Sequence, residues 1–252
     1  MWQCQSNKTA KQVNKTAQGN PKTIMTLTAN TRIGAPPPLV YSPPEGPLVY
    51  VHKDERWLIL DKPSGLLTVP GKAENHKDCL EARVQKEHPE ARIVHRLDMD
   101  TSGLIIMART PEAHRHVGLQ FERRYVDKSY IADVWGHVAQ DEGEIDLPLI
   151  CDWPNRPRQM VDHENGKSAL TRWNVLERGE NSTRVRLFPK TGRSHQLRVH
   201  MLSLGHPILG DNLYAHADAL NASDRLRLHA EMLELHHPIG GARIKFESEC
   251  PF

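Results

Sequence analysis

Cysteine is scarce in this chain, with four in 252 residues. Cys4, Cys79, Cys151 and Cys250 stand far apart and form no Cys-x-x-Cys pair. That spacing argues against a disulfide framework and a cysteine-based zinc site, and it fits reduced thiols in a cytoplasmic protein. Long apolar runs are also missing, since nothing approaches the roughly 18 residues of a membrane helix. Near the start, Ile24, Met25 and Leu27 are interrupted by threonines, which denies the segment a secretory core. A cytoplasmic protein with no membrane partner is expected. Acidic residues are absent before Glu45, where Thr, Asn, Gln and Lys prevail and Pro36-Pro37-Pro38 and Pro43-Pro44 follow. Such a stretch cannot bury enough apolar surface to offset its ordering entropy, so residues 1–46 are read as a disordered basic, proline-rich tail.

Several signatures of chemistry are missing as well. The chain contains no Walker sequence, no Gly-x-Gly-x-x-Gly loop and no Gly-x-Ser-x-Gly elbow. Its histidine pairs, such as His114 and His116 or His195 and His200, lack the i, i+4 helical spacing of a zinc site and a third ligand nearby. No metal is called for. A two-carboxylate hydrolase built on Asp98 and Asp100 is disfavoured, because residues two apart in a tight loop diverge.

What remains is a globular composition, 38% hydrophobic and 25% charged, in residues 47–252 as one domain. A net charge of +2 neither demands nor excludes nucleic acid, so the placement of the basic residues has to decide. Strands are predicted at Leu48–Val51, Trp57–Leu60, Lys128–Gly136, Leu170–Val175, Thr183–Phe188 and Arg243–Phe246. Helices are predicted at Asp78–Lys86, capped by Asp78, and at Pro111–Tyr125, capped by Thr110 with Pro111 in the first turn. A third helix follows Ser194 as cap, with Leu197, Met201 and Leu204 on one face and Gly205 as its stop. Leu147–Met160 is broken by prolines and reads as loop. Many strands, hairpin-like turns and few helices predict an α+β domain on a mainly antiparallel sheet.

The stretch His95-Arg96-Leu97-Asp98-Met99-Asp100-Thr101-Ser102-Gly103 sits between Ile93-Val94 and Leu104–Ala108, which makes it a loop held between two strands. Arg96, Arg193 and Arg198 flank loops or helix starts, where a guanidinium can meet a phosphate or a carboxylate. With Arg123, Arg124, Arg156 and Arg158 they suggest a face turned toward a polyanion.

These residues carry a resemblance. His95-Arg96-Leu97-Asp98-x-x-Thr101-Ser102-Gly103 resembles the signature around the catalytic aspartate of the RluA-type pseudouridine synthases. Asp61-Lys62-Pro63-Ser64-Gly65-Leu66 resembles the first motif of that family, and Lys128-Ser129-Tyr130 its Lys-x-Tyr motif. Gly192-Arg193-Ser194-His195-Gln196-Leu197-Arg198 is similar to its arginine-bearing motif, followed by Gly205-His206-Pro207-Ile208-x-Gly210-Asp211 and Leu228-His229-Ala230. The segment from Asp146 to Pro157 is similar to the dual-specificity branch, which acts on 23S rRNA and on the anticodon stem-loop of tRNA.

The resemblance implies an RNA isomerase that needs no cofactor and no metal; a monomer without an obligate protein partner is expected. The S4 RNA-binding domain common in the family is not expected, since residues 1–46 are too few and too polar to form one. Asp98 would be the essential carboxylate, attacking C1′ or taking the C2′ proton; sequence leaves both open. Arg198 would be its ion-pair partner. Tyr130 would stack on the uracil and help remove the C5 proton. Arg96 would fill the space vacated by a flipped uridine. Arg193 and His95 are further candidate RNA contacts, His95 with a structural role as its alternative, while Asp100 falls at a variable turn position. The competing reading is a non-catalytic RNA-binding or RNA-folding protein on the same scaffold.

Overall fold

The computed structural model describes residues 40–252. The elements run β1 (Val49–Lys53), β2 (Trp57–Lys62), α1 (Leu80–Glu87), β3 (Arg92–Ile93), β4 (Ser102–Ala108), α2 (Pro111–Glu122), β5 (Asp127–Trp135), β6 (Glu142–Asp146), β7 (Leu149–Cys151), β8 (Gln159–Val161), β9 (Leu170–Arg178), β10 (Ser182–Pro189), α3 (Gln196–Ser203), α4 (Ala217–Asn221), β11 (Leu228–His236) and β12 (Arg243–Glu247). Ten of the strands form one sheet, ordered β1-β2-β4-β11-β5-β10-β9-β6, with β3 beside β4 and β12 beside β11. Its pairings are antiparallel except β4 with β11, which run parallel. The expected α+β architecture is therefore present.

The sequences of β2 and β4 explain their central place. Leu58, Leu60, Ile105 and Met107 point to one face, where Leu80 and Val84 of α1 cover them. Trp57, Ile59, Leu104 and Ile106 point to the other, against Val117 of α2 and Phe246 of β12. Both faces are buried, so these strands read as continuous apolar runs rather than alternating ones. A third cluster joins Ala132, Val134, Val185 and Leu187 of β5 and β10 to Leu197 and Met201 of α3. Side chains at period two on strands and period four on helices thus meet across the sheet.

The helix ends depart from expectation in two places. Thr110 caps α2 as predicted, accepting the Ala113 N–H. At α1 the cap is Cys79, whose Sγ accepts from Ala82 N–H. Asp78 is instead held by Arg83 through two bonds of 2.7 Å. At α3 the residue before the helix is His195, in the left-handed conformation with φ 52°, and Ser194 does not cap it. Gln196 anchors that end, accepting from Thr191 Oγ1 and donating to the Leu170 carbonyl of β9.

The expected tail, 1–46, falls mostly outside the described residues. Its last part belongs to the fold: Tyr41 is buried, donates to the Asp78 carbonyl at 2.6 Å and accepts from Leu67 N–H. The proline-broken stretch 147–160, read as loop, includes the small hairpin β7–β8. Among the described residues, no helix is long and apolar enough to cross a membrane.

Candidate active site

The loop between β3 and β4 is braced by the turn that follows β2. Lys62 is fully buried, and its Nζ donates to the carbonyls of Pro63, Leu66 and Met99 at 2.8–2.9 Å. Gly65 N–H donates to the same Met99 carbonyl at 2.9 Å. Ser64 Oγ donates to the Asp100 carbonyl at 2.7 Å. Thr68 Oγ1 donates to the Leu97 carbonyl at 2.7 Å and accepts the Leu97 N–H. Asp98 is therefore flanked on both sides by backbone that cannot drift. At the loop's exit Gly103 has φ +109°, and a Cβ there would run into the backbone of Ala230 on β11.

Above this loop opens a cleft of about 510 Å³, counting its mouth, lined by Arg96, Asp98, Lys128, Tyr130, His195 and Arg198 among others. Three of the expected residues, Asp98, Tyr130 and Arg198, thus converge from three separate elements. Asp98 keeps about a third of its side chain exposed, with Oδ2 3.7 Å from Arg198 Nη1 and 4.0 Å from His195 Nε2. Neither distance is a hydrogen bond. The carboxylate has donors in reserve and an open side facing the cleft.

Arg198 is held by a residue that sequence reasoning did not single out. Asp211 takes its Nε and Nη2 in two bonds of 2.7 Å, and both side chains are almost completely buried. Burial opposes the guanidinium charge, but the bonded Asp211 carboxylate outweighs it and holds the Arg198 pKa above its ordinary value. Arg198 is a fixed cation rather than a mobile one. The only sequence clue was the Gly210-Asp211 end of a loop motif, thirteen residues from Arg198.

Tyr130 lies half-buried on β5 among the apolar residues on both sides of the cleft. Burial first, then the charge of Asp98, raise its pKa, so the phenol stays protonated. A protonated ring fits stacking better than proton removal. Burial also pulls Lys128 down to about 8, with Lys190 adding to the shift and Asp127 opposing it. This lysine at the cleft is another residue the sequence reading left without a role. Asp100 is largely enclosed, and burial raises its pKa against the pull of Arg198 and Lys62.

Of the candidate RNA contacts, Arg96 is exposed at the cleft. Arg193 also lines it, its Nε donating to the Ser168 carbonyl at 3.1 Å. His95 does not reach it. Its ring stacks on Phe121 at 4.6 Å, and its Nε2 accepts the Ile106 N–H at 3.2 Å. Burial, reinforced by Lys128, drives its pKa down to about 3, so it is a neutral acceptor that ties the loop's entry to β4. The structural alternative stated for His95 describes this placement. No group of three or more His, Cys, Asp or Glu side chains among the described residues is disposed to hold a metal ion.

Residues 56–203 match the family model described as RNA pseudouridylate synthase. The chain belongs to the RNA pseudouridylate synthase family. Within this pseudouridine synthase family, it is 54% identical over 214 residues to the dual-specificity RNA pseudouridine synthase RluA of Salmonella typhi, covering 84% of this chain and 98% of that one. Identity to the protein of the same name from Escherichia coli (strain K12) is 52% over the same coverage. Among solved structures, human RNA pseudouridylate synthase domain containing 1 superposes with a TM-score of 0.71 at 28% identity, over 84% of this chain and 87% of that one. A pseudouridine synthase is an RNA isomerase: it rejoins a uracil to its own ribose through carbon.

Proposed function

We propose that this pseudouridine synthase isomerises specific uridines of both 23S rRNA and tRNA, as a cytoplasmic monomer whose catalytic domain is residues 47–252. Its dual substrate range rests on the naming of relatives that share about half of their residues with it over nearly their whole length. One observation carries the assignment of the chemistry. Asp98 sits on a backbone-braced loop at a basic cleft, with two donors near one carboxylate oxygen and neither engaged.

In the reaction the N1–C1′ bond breaks and a C5–C1′ bond forms, while C5 loses a proton and N1 gains one. Nothing enters or leaves in net terms, so the work is to stabilise a detached uracil beside an electron-poor sugar. The Asp98 carboxylate faces that sugar, as nucleophile at C1′ or as base at C2′. Arg198, fixed by Asp211, balances its charge in a site that excludes water once RNA is seated. Tyr130 offers its ring to the uracil, and its neighbourhood keeps it from ionising. Arg96 occupies the gap left in the RNA when the target uridine swings out, a step that costs a few kcal/mol.

The test is release of label from C5-tritiated uridine in tRNA and 23S rRNA fragments, together with RNA binding. Asp98→Asn is expected to bind RNA and to lose turnover. Normal turnover in that variant would remove Asp98 from the chemistry. Wild-type binding without any turnover would return the competing non-catalytic reading. Tritium released from only one of the two RNAs would overturn the dual range.

A further inference from the structure

A second side chain faces Asp98, and its protonation pattern can be worked out from its partners. His195 has only 12% of its side chain exposed yet still lines the cleft, its Nε2 4.0 Å from Asp98 Oδ2. Its other ring nitrogen, Nδ1, is 2.7 Å from the hydroxyl of Tyr214. Tyr214 is itself buried, with 3% of its surface exposed, and its oxygen already accepts the Gln159 N–H of β8 at 2.8 Å.

A buried phenol has one proton to give, and His195 Nδ1 is the acceptor within reach. The chain of bonds then runs in one direction, from Gln159 N–H to the Tyr214 oxygen and from the Tyr214 O–H to His195 Nδ1. Nδ1 must be unprotonated, so the neutral ring carries its hydrogen on Nε2, aimed at the Asp98 carboxylate. The reverse tautomer fails twice: it would strand the Tyr214 hydrogen and turn a lone pair toward a carboxylate. Burial supports this neutral arrangement, lowering the His195 pKa against the opposing charge of Asp98 and raising that of Tyr214.

The backbone shows that the ring's position is enforced. His195 takes φ 52°, a left-handed conformation that side-chain-bearing residues adopt only under strain. It does so with no capping bond in return. What the conformation secures is the ring, placed edge-on to Tyr214 with centroids 5.7 Å apart.

We propose that His195 is a positioning residue, locked by Tyr214 as the Nε2–H tautomer, which closes onto Asp98 as a neutral hydrogen-bond donor when the uridine is seated. Arg198 supplies charge to Asp98; His195 supplies direction, holding the carboxylate plane against rotation as the sugar approaches. Its role rests on Asp98 being the catalytic carboxylate, and the ring chemistry can be read without any turnover.

The experiment is proton–nitrogen correlation NMR on the full chain with ¹⁵N-histidine labelling, alongside kinetics on a C5-tritiated RNA stem-loop. The wild type is expected to show His195 with Nε2 protonated and Nδ1 bare, and Tyr214→Phe to shift the Nδ1 resonance and mix the tautomers. His195→Ala and Tyr214→Phe are expected to lower kcat about tenfold or more with KM nearly unchanged, as for loss of a hydrogen bond to a charged group. His195→Gln, which keeps an N–H near the Nε2 position, is expected to recover most of kcat. A wild-type spectrum with Nδ1 protonated overturns the proposal whatever the variants do. So does wild-type kcat in a folded His195→Ala protein, or failure of Gln to outperform Ala. An inactive wild type or an active Asp98→Asn would instead refute the assignment of Asp98 and leave the tautomer result standing.

Discussion

Replacing Asp211 with Asn separates the charge that fixes Arg198 from the shape of the site. The Asp211 carboxylate takes both Arg198 bonds at 2.7 Å, and Oδ1 also accepts the N–H groups of Leu213 and Tyr214 at 2.9 and 3.1 Å. Asn preserves the volume and one acceptor, but it turns an NH₂ toward the guanidinium and leaves a buried cation without its counter-charge. Breaking such a pair from one side costs about 3–5 kcal/mol. In a domain of this size each kcal/mol moves Tm by roughly 2–4 °C, so Tm is expected to fall by about 10 °C. Of the remaining carboxylates, Asp98 is already within ion-pair range of the released guanidinium, 3.7 Å away. Arg198 should therefore swing onto Asp98 and occupy the oxygen that faces substrate. Turnover is expected to drop about 10–100-fold while RNA affinity is kept, because the change stabilises the resting carboxylate rather than the transition state. Urea and thermal unfolding measure the first effect, and tritium release with a filter-binding control measures the second. The double variant Arg198→Met with Asp211→Asn removes both charges while an amide oxygen still accepts the Leu213 and Tyr214 N–H groups, and it should regain most of the stability but none of the activity. If Asp211→Asn kept its Tm within about 2 °C and its full turnover, the buried pair would not be the support described.

Three more outcomes follow from the same geometry. Gly103→Ala combines a positive φ with a Cβ that overlaps the Ala230 backbone, so a loss of about 3 kcal/mol or more, or insoluble protein, is expected on expression and thermal melting. Burial lowers the Lys62 pKa to about 7, against the pull of Asp100 and Asp98. Between about 7 and the unfolded value of 10.5 the unfolded chain therefore binds more protons, and this group's contribution to stability rises with pH across that window. Over the same range the amine keeps two hydrogens for three carbonyls, so turnover should fall; a flat stability difference between wild type and Lys62→Met from pH 6 to 9 would refute this. Arg96→Ala should weaken RNA binding by about tenfold without lowering Tm, since its exposed side chain supports no packing.

Legibility followed how local each signal was. The strands β2 and β4 and the helix α2 could be read directly, because apolar runs and a Thr-Pro start act within a few residues. The caps of α1 and α3 could not. Asp78 has the right chemistry for a cap but is taken by Arg83, and Ser194 loses its place because His195 must reach Tyr214, nineteen residues on. Tertiary contacts overrode local preference in both cases. At the site, the arrangement of Asp98, Tyr130 and Arg198 was anticipated by motif resemblance alone, since nothing in composition or periodicity brings β4, β5 and α3 together. Asp211 and Lys128 carried no local mark of their roles. Lys62 carries no local mark of burial either, because Lys-Pro-Ser-Gly is ordinary turn chemistry. Only the fold shows that its ammonium is wholly enclosed.

The brace on the Asp98 loop has a consequence for how such an enzyme can change. The bonds that Lys62, Ser64, Gly65 and Thr68 make to this loop end on main-chain atoms of Leu97, Met99 and Asp100. Leu97 also packs its side chain into the core and the Asp100 carboxylate accepts from Asn212, but the side chain of Met99 is asked for none of these bonds. The carboxylate's coordinates are thereby uncoupled from the identity of residue 99, much as a clamp grips a rail without regard to what is mounted on it. Position 99, and the exposed Arg96, can be exchanged to suit a different RNA loop while Asp98 stays where it is. Specificity in this protein is a matter of fittings, and the reactive group is part of the frame.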